Sequence, residues 1–352
     1  MLHNSQTRIV KIGNLKIGGG NPIRVQSMTS VPAEDVKKSL KEIEKLAKAG
    51  CEIIRLAIPD EKSARAIVQI KKDSPLPIIA DIHFDYHLAL LAIEAGVDKL
   101  RINPGNIGSE EKIQIVAEAA KKAGIPIRIG VNSGSLAKNL RGENLAEKMV
   151  DSALTQIQLL EKFKFSDILI SVKAGNANDT LAAYRLLAQK TNYPLHIGLT
   201  AAGGEKTGAT QAAVTMGTLL AEGIGDTIRI SLTANHLREV TLAREILETL
   251  DLRKPRYGKL IACPVCGRCG INLKKVLLEA EKLIELSPPG FSLAIMGCAV
   301  NGPGETGKTD LGLIGGKKCA ALLVKGKIIK TVPEKAILPE LKKLWEQAIK
   351  KP

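Results

Sequence analysis

Three cysteines lie within seven positions of one short segment, residues 262–270, which reads "ACPVCGRCG". They are Cys263, Cys266 and Cys269, and a fourth cysteine, Cys298, follows 29 residues after the last of them. Thiolates are strong ligands for zinc and for iron–sulfur clusters. The segment therefore predicts a metal centre or a redox-active thiol pair.

The cysteines can be interpreted in three ways, and the context favours an iron–sulfur cluster, because "GCAVNGPGE" surrounds Cys298 with small residues that let backbone N–H groups approach cluster sulfides. Structural zinc sites usually take their thiolates from two spaced pairs, and the second pair is missing here. A thioredoxin-like pair needs CxxC at the start of a helix after a strand, which the pattern does not predict. C-x2-C-x2-C with a distant cysteine is a ferredoxin-like spacing. By spacing alone, Cys269 would be the preferred fourth ligand.

A second group of candidate residues is basic. Arginine or lysine recurs in short β-rich runs, on the face opposite to isoleucine, leucine and valine, and a further cation from a loop is expected. The cations in the runs are Arg55, Arg101, Arg128, Lys173 and Arg229, and the same faces carry Asn103, Asn132 and His196. Residues two apart share one face of a strand, so these side chains are expected to converge.

Acidic residues on those faces are too few to neutralise the cations. Asp81 is the clear one, with Asp85 and Glu205 expected from loops. Because a buried, unpaired charge is costly, we expect a phosphate or diphosphate ligand, which arginine binds bidentately. Internal salt bridges that seal the site are the alternative. Asp81, His83 and Asp85 share one face, and we favour acid–base or hydrogen-bonding roles for them over metal ligation.

Eight β-rich runs alternate strictly with eight helical patterns. The runs are 22–28, 51–58, 76–82, 99–103, 126–132, 167–173, 194–200 and 227–233, and the helical patterns are 35–49, 60–72, 86–95, 109–123, 138–162, 177–190, 208–222 and 236–250. Such alternation predicts a parallel sheet, and its length fits a closed (β/α)8 barrel over residues 1–250. A doubly wound open sheet is the alternative. A hairpin at 8–20 is expected to plug the N-terminal end of the barrel.

The pattern changes after a polar linker, and residues 258–352 predict a second, smaller α/β domain that carries the cysteines. The formal net charge is +15, and aromatic residues make up only 3% of the chain. Few aromatics leave few stacking surfaces for single-stranded nucleic acid. No apolar run reaches the roughly 18–20 residues that span a bilayer. We therefore expect a cytoplasmic protein with neither a nucleic-acid nor a membrane partner.

Several segments together resemble the bacterial 4-hydroxy-3-methylbut-2-enyl diphosphate synthase family of the methylerythritol phosphate route to isoprenoids. They are "QSMT" (26–29), "ADIHFDY" (80–86), "LRINPGNIG" (100–108), "IPIRIGVNSGSL" (125–136), "EGIGDTIRISLT" (222–233), "ACPVCGR" (262–268) and "GCAVNGPGE" (297–305). The resemblance implies a (β/α)8 barrel followed by a domain with a 4Fe-4S cluster. It also implies reductive ring-opening of 2-C-methyl-D-erythritol 2,4-cyclodiphosphate, with reduced flavodoxin or ferredoxin as electron donor and a head-to-tail homodimer.

The resemblance also assigns residues. The implied cluster ligands are Cys263, Cys266, Cys298 and Glu305, whereas Cys269 occupies a position that is non-ligating in relatives. A carboxylate is a weaker iron ligand than a thiolate, so Glu305 is expected to step aside and open a coordination site. The implied substrate contacts are Arg55, Arg101, Asn103, Arg128, Asn132 and Lys173, and the inward-facing His196 and Arg229 complete the predicted substrate site. Asp81 and His83 are the expected proton-handling residues.

Three positions depart from the family pattern. Ala201 replaces an expected glutamate, Gln211 an expected lysine, and His87 a common arginine. Loss of a positioned acid or base typically costs about 10²–10⁴-fold in rate, so an impaired or altered member of the family is one alternative. A barrel lyase with Lys173 as Schiff-base residue and a structural zinc is a second. A basic binding protein stapled by a metal is a third, which inward-facing cations disfavour.

Overall fold

The structure is a computed structural model that describes residues 6–103, 107–136, 140–200 and 202–350. The chain divides into two compact units, Met1–Arg253 and Lys254–Pro352. None of the helices in the described ranges combines the length and apolarity needed to cross a bilayer.

The first unit is a barrel of parallel strands. Its strands are β1 Val10–Ile12, β2 Leu15–Ile17, β3 Arg24–Met28, β4 Ile53–Ala57, β5 Ile78–Asp81, β6 Lys99–Ile102, β7 Ile127–Asn132, β8 Ile168–Lys173, β9 His196–Ile197 and β10 Thr227–Ile228. Strands β3 to β10 form one eight-stranded sheet in the order β8-β7-β6-β5-β4-β3-β10-β9. A parallel bridge between Ile170 and Leu195 joins its two ends. The predicted (β/α)8 barrel is confirmed, and the open-sheet alternative is wrong.

Most of the described helices that surround the barrel begin at a side-chain cap, and those that begin at Glu110 and Glu205 are the two without one. They are α1 Val36–Lys48, α2 Glu61–Asp73, α3 Tyr86–Glu94, α4 Glu110–Ala123, α5 Leu145–Lys162, α6 Ala177–Lys190, α7 Glu205–Ala221 and α8 His236–Thr249. Helix α5 begins later than the predicted residue 138, because the side chain of Asn144 accepts a hydrogen bond from the Glu147 backbone N–H. The predicted strands at 194–200 and 227–233 are also shorter, with two regular residues each.

The hairpin β1–β2 closes the floor of the barrel. Its buried residues form one apolar cluster with side chains from β4, β5 and β8, and the cluster comprises Val10, Ile12, Ile17, Ile53, Ile79 and Leu169. Ile53 and Leu169 lie at or near the start of their strands. The hairpin therefore plugs the N-terminal end, as the sequence predicts, and the open end of the lumen is the C-terminal one.

The second unit is a five-stranded mixed sheet with helices. Its elements are β11 Lys259–Ala262, α9 Leu273–Glu285, β12 Ser292–Met296, α10 Gly302–Thr306, β13 Leu311–Gly316, β14 Cys319–Val324, β15 Lys327–Pro333 and α11 Ile337–Ile349. Strands β11, β12 and β13 run parallel, and β13, β14 and β15 run antiparallel. The unit has its own core, in which Trp345 donates a hydrogen bond to Ser287 Oγ at 2.8 Å. The parallel part brings the C-terminal ends of β11 and β12 to one edge.

A buried carboxylate ties the segment before the hairpin to β9 and β10. Asp226 accepts hydrogen bonds from Thr7 Oγ1 at 3.0 Å and from the Leu195 backbone N–H at 2.7 Å. It lies just before β10 and is 2% exposed. Burial raises the pKa of Asp226 to about 6, although both hydrogen bonds act in the opposite direction. The folded protein therefore binds a proton here more tightly than the unfolded chain does.

We predict that Asp226→Asn loses less stability than wild type as pH rises from 4 to 6. Because the native carboxyl has the higher pKa, its contribution to the free energy of unfolding falls as pH rises through that window, by on the order of 2 kcal/mol. Urea unfolding of both proteins at a series of pH values measures the difference. Asp73→Asn, at the exposed end of α2, is the control. Parallel stability–pH curves for wild type and Asp226→Asn would contradict the prediction.

Candidate active site

The predicted basic residues do converge at the C-terminal end of the barrel. They line a cavity of about 260 Å³. Its lining residues are Arg55, Asp81, His83, Arg101, Arg128, Asn132, Lys173, Leu199, Thr200, Arg229 and Ser231. Each cation comes from a different strand or strand end, as the alternation of side chains requires. Asn103 and His196, also predicted here, are not among the described residues that line the cavity.

Asp81 is the one carboxylate among the described lining residues, and two arginines hold it. Arg101 Nη1 donates to Asp81 Oδ1 at 3.0 Å, and Arg55 Nε lies 3.6 Å from Asp81 Oδ2. Burial raises the pKa of Asp81, but Arg55, the hydrogen bond with His83 and Arg101 outweigh it and hold the pKa well below its ordinary value. Asp81 is therefore an ionised counter-charge rather than a proton donor.

The remaining lining cations form no ion pair with a carboxylate among the described residues. Arg128 is 1% exposed and donates through Nη1 to Ser171 Oγ at 2.5 Å, while its Nε has no partner in the described residues. Burial lowers the pKa of Arg128, and the charges of Arg101 and Arg55 lower it further. Arg229, whose Nε is likewise unpartnered, also has a lowered pKa because of burial.

Lys173 contacts a histidine, His196, that does not line the cavity. His196 Nε2 lies 3.3 Å from Lys173 Nζ, and His196 Nδ1 lies 2.8 Å from Thr227 Oγ1. Burial lowers the pKa of His196 well below its ordinary value, and neighbouring cations add to that effect, Lys173 first. A neutral imidazole that accepts from Lys173 Nζ and donates to Thr227 satisfies both contacts. His196 thus positions Lys173 rather than facing the cavity.

His83 is the exposed member of the site. Arg101 Nη1 lies 2.7 Å from His83 Nε2, and His83 Nε2 lies 3.7 Å from Asp81 Oδ2. The two other acids expected from loops do not reach the cavity. Asp85 caps α3 through the His87 backbone N–H, and Glu205 pairs with Arg238 at 3.6 Å. Those two expectations are wrong, because both side chains satisfy local helix and surface contacts. Asp81 therefore remains the only acid that the sequence placed correctly.

Sequence reasoning missed three buried polar residues near the site. Lys99 opens β6 two residues before Arg101, so the period of two that identified Arg101 also identifies Lys99. Glu239 on α8 is 2% exposed and accepts from the Leu232 backbone N–H at 2.7 Å. Gln26 in β3 is 2% exposed, and both polar atoms of its amide lack a partner in the described part of the chain.

Two cysteines of the second unit lie against one glycine, Gly297. Cys263 follows β11 directly, and its Sγ accepts a hydrogen bond from the Gly297 backbone N–H at 3.1 Å. A Cβ on Gly297 would lie 2.8 Å from Cys269 Sγ. Two thiols, those of Cys263 and Cys269, thus lie against a position where only hydrogen fits, and Cys298 is the next residue in the chain. A backbone N–H on sulfur is the hydrogen bond that thiolate metal ligands commonly accept.

The other predicted ligands lie at the same edge of the sheet. Cys266 is exposed in the loop after β11, and Glu305 is exposed on α10, which follows β12. Over the described ranges, no group of three or more histidine, cysteine, aspartate or glutamate side chains is already arranged to hold a metal ion. The donor set, four thiols and a carboxylate on adjoining loops, has the chemistry of an iron–sulfur site. Within this set, the Cys269 thiol is already engaged, since it donates a hydrogen bond to the Ile271 carbonyl at 3.3 Å.

Comparison with known proteins decides the family. The GcpE TIM-barrel domain matches residues 7–244, and the GcpE protein C-terminal domain matches residues 259–347. The chain belongs to the GcpE family. The family therefore covers both units, in the order in which the chain presents them.

Curated relatives match over nearly the whole chain. A protein of Caldanaerobacter subterraneus subsp. tengcongensis is 50% identical over 98% of this chain and 98% of its own length. A protein of Fusobacterium nucleatum subsp. nucleatum is 49% identical over 96% of both chains. Both are named 4-hydroxy-3-methylbut-2-en-1-yl diphosphate synthase (flavodoxin). The resemblance inferred from the sequence motifs is thus confirmed.

Among solved structures, the barrel is similar to 7,8-dihydropteroate synthase from Vibrio fischeri. The TM-score is 0.50 at 15% identity, over 69% of this chain and 97% of that one. At this identity the similarity concerns the fold alone. Ala201, the departure that bears most on activity, lies outside the described residues.

We predict that Asp81→Asn destabilises the ligand-free protein by about 2–4 kcal/mol, because Arg55 and Arg101 lose their buried counter-charge. Inorganic pyrophosphate should restore much of the loss. Since the native pKa of Asp81 is lowered, its contribution is present above about pH 4 and is lost as pH falls below that value. Urea unfolding with and without pyrophosphate is the measurement.

The matched control is Glu110→Gln, which breaks a surface pair with Lys162 at 2.5 Å. That change should cost under about 1 kcal/mol and should not respond to pyrophosphate. Equal losses in the two variants would show that Asp81 is no more than an ordinary ion-pair partner.

Proposed function

We propose that this protein is a 4-hydroxy-3-methylbut-2-en-1-yl diphosphate synthase, which opens 2-C-methyl-D-erythritol 2,4-cyclodiphosphate reductively and releases water. The observation that carries the proposal is the excess of positive charge in the barrel cavity, where five cations and one carboxylate lie among the described lining residues. A cyclic diphosphate supplies the negative charge that the cavity lacks. The relatives' names supply the reaction.

The cations bind and orient the diphosphate in this proposal. Arg55, Arg101 and Arg128 offer planar donor groups suited to bidentate contact with phosphate oxygens. Lys173, held by His196, and Arg229 complete the ring of charge on the opposite strands. Because these groups are fixed before the ligand arrives, they stabilise negative charge on the phosphate oxygen as its bond to carbon breaks.

The neighbours of the cations have supporting roles. Asn132 lines the cavity and is available to bind a substrate hydroxyl, while Asn103 lies buried at the end of β6. His83 and Asp81 are the proposed proton-handling residues. His83 is the exposed one and adjoins Asp81, whose lowered pKa keeps it ionised as an acceptor. His83 is therefore the better candidate to deliver a proton.

Cys263, Cys266, Cys298 and Glu305 would hold a 4Fe-4S cluster in the second unit. When bound, such a cluster supplies the two electrons of the reaction one at a time. The half-buried Cys263 is prepared for this role by the Gly297 N–H, and the exposed Glu305 is free to move. We propose reduced flavodoxin as donor, from the relatives' names, and a homodimer in the cytoplasm as the working form. Ferredoxin is the alternative donor.

The other candidate functions have less support. The relatives are 50% and 49% identical over at least 96% of this chain and share one name, which favours an active synthase over an impaired variant. The lyase with a zinc site requires a reactive Lys173 amine, but that amine is in contact with His196. The basic binding protein requires exposed cations, and four of the five lining cations are less than 9% exposed.

The decisive experiment is anaerobic reconstitution with iron and sulfide, followed by turnover of the cyclic diphosphate with reduced flavodoxin. We expect a coloured cluster and formation of the allylic diphosphate. A colourless zinc protein without turnover would overturn the proposal. Ala201→Glu is assayed in parallel, and equal rates would remove that glutamate from the mechanism.

We predict that serine in place of Cys263, Cys266 or Cys298 abolishes stable cluster binding, whereas Cys269→Ser retains it. The reason is that the Cys269 thiol is already engaged by the Ile271 carbonyl. Iron and sulfide stoichiometry after reconstitution measures the effect. Cys319→Ser, on β14 of the same unit, is the matched control. Loss of iron in Cys269→Ser would instead make Cys269 a ligand, as the spacing alone predicts.

A further inference from the structure

Lys99 is a fully buried lysine that the proposed reaction does not use. It is the first residue of β6, and the inward-facing Arg101 follows two positions later. Its exposure is 0%, and its Nζ has no hydrogen-bond partner among the described residues. An ammonium group in such a place is strongly unfavourable unless an anion accompanies it.

Apolar residues lie beneath Lys99. Its register partner on β5 is Ile79. Ile79 belongs to the floor cluster, where it packs with Leu169 and with the hairpin residues Ile12 and Ile17. In the described part of the chain, this floor is apolar and offers Lys99 no charged partner.

Among the described residues, the charges that act most strongly on Lys99 across the lumen are the cations Arg128 and Arg55, and His83 lines the cavity. The charged or titratable groups that the strands and adjoining helices direct inward are Arg55 on β4, Asp81 on β5, Arg101 on β6, Arg128 on β7, Lys173 on β8, His196 on β9, Arg229 on β10, Tyr184 on α6 and Glu239 on α8. Asp81 is already held by Arg55 and Arg101. Glu239 accepts a hydrogen bond from the Leu232 backbone N–H, and Arg229 is the charge that acts on it most strongly.

The balance of these groups disfavours a charge on Lys99. Burial lowers the pKa of Lys99 well below its ordinary value, and Arg128 and Arg55 lower it further. Arg128 and Arg55 themselves keep their charge, because guanidinium holds its proton far more tightly than an amine. Lys99 is thus the group whose charge depends on what fills the cavity above it.

We propose that Lys99 is an uncharged amine in the ligand-free protein and takes up one proton when a phosphorylated anion enters the barrel cavity. The entering negative charge compensates Arg55 and Arg128, so the repulsion that deprotonated Lys99 is removed. The proton comes from solvent or buffer and forms a third N–H bond on the Lys99 amine, and no other bond changes. The class of ligand rests on the proposed function, but the proton uptake rests on the lumen alone.

Linkage fixes the direction of the pH effect. If binding takes up a proton, affinity rises as pH falls through the interval between the pKa values of Lys99 in the free and bound states. The change is at most tenfold per pH unit for one proton. Lys173, His196 and the cavity-lining His83 are other groups able to take up a proton. Lys173 and His196 contact each other at 3.3 Å, and His83 contacts Arg101, whereas Lys99 Nζ has no hydrogen-bond partner among the described residues.

The test is calorimetric titration in buffers of different ionisation enthalpy, which counts the protons taken up on binding. Two probes are used, the cyclic diphosphate and inorganic sulfate. Each phosphorus of the cyclic diphosphate carries a single acidic oxygen, and sulfate has none that titrates near neutral pH. Uptake therefore comes from the protein. Sulfate tests the lumen even if the cyclic diphosphate fails to bind, which separates this proposal from the proposed function.

We predict uptake of close to one proton in wild type and close to none in Lys99→Met, together with at least tenfold weaker binding. Lys122→Met, an exposed change at the end of α4, should leave both quantities unchanged. Undiminished uptake in Lys99→Met would overturn the proposal and assign the proton to His83, Lys173 or His196.

A stability measurement covers the possibility of misfolding. Burial lowers the pKa of Lys99, so near neutral pH this residue destabilises the native state relative to the unfolded chain, in which it is protonated. The destabilisation decreases as pH rises toward the ordinary titration range of lysine. Lys99→Met should therefore unfold at a higher temperature than wild type near neutral pH, and the difference should shrink in alkaline solution. A lower melting temperature at every pH would make Lys99 a structural residue and refute the proposal.

Discussion

The structure depends on positive charge that the barrel holds without neutralising it. One buried carboxylate, Asp81, serves the cations that line the cavity, and two of them contact it. Like charges at short range repel strongly in a medium of low dielectric constant. The fold must therefore supply the stability that this arrangement removes. It does so through a continuous apolar layer between the strands and the helices, and through the apolar floor under the lumen.

Glycines make room for the long basic side chains inside the barrel. A Cβ on Gly130 would lie 2.7 Å from Arg101 Nε, and one on Gly198 would lie 2.5 Å from Lys173 Nζ. Both glycines face inward on strands next to the cation concerned. Each lets a cationic side chain lie across the neighbouring strand instead of extending into the cavity. Volume is thereby kept for a ligand, and the donor groups are held in place before it arrives.

Much of the barrel and its site follows from simple periodicities. Alternation of strands and helices predicts the barrel, and alternation of side chains within strands identifies Arg55, Arg101 and Arg128. The same rule applies to Lys99, but Lys99 lies at the start of its strand, whereas the active-site residues of barrels lie at the strand ends. Rules of this kind describe which face a side chain occupies, so they could not reveal that His196 supports Lys173 from behind.

Local contacts explain where sequence reasoning failed. Asp85 and Glu205 follow strands and so were expected to face the cavity, yet each lies beside a helix start that offers a backbone donor or a nearby arginine. A carboxylate near unsatisfied N–H groups gains a hydrogen bond without losing its contact with water. Asp81 ends a buried strand away from any helix start, and its partners among the described residues are Arg55, Arg101 and His83.

Both units place their functional side chains at the ends of parallel strands. In the barrel, parallel strands end in cations around a cavity, and in the second unit β11 and β12 are followed by Cys263 and Cys298, with the Cys263 thiol in contact with Gly297. Parallel strands bring several loops to one edge, and glycine lets the side chains on those loops approach the backbone closely. The residues that differ between the units are therefore the ones at the strand ends, where guanidinium groups suit an anion and thiolates suit iron. A chain of this kind can change its ligand without changing its sheets, because the apolar faces that stabilise the sheets are not the faces that bind.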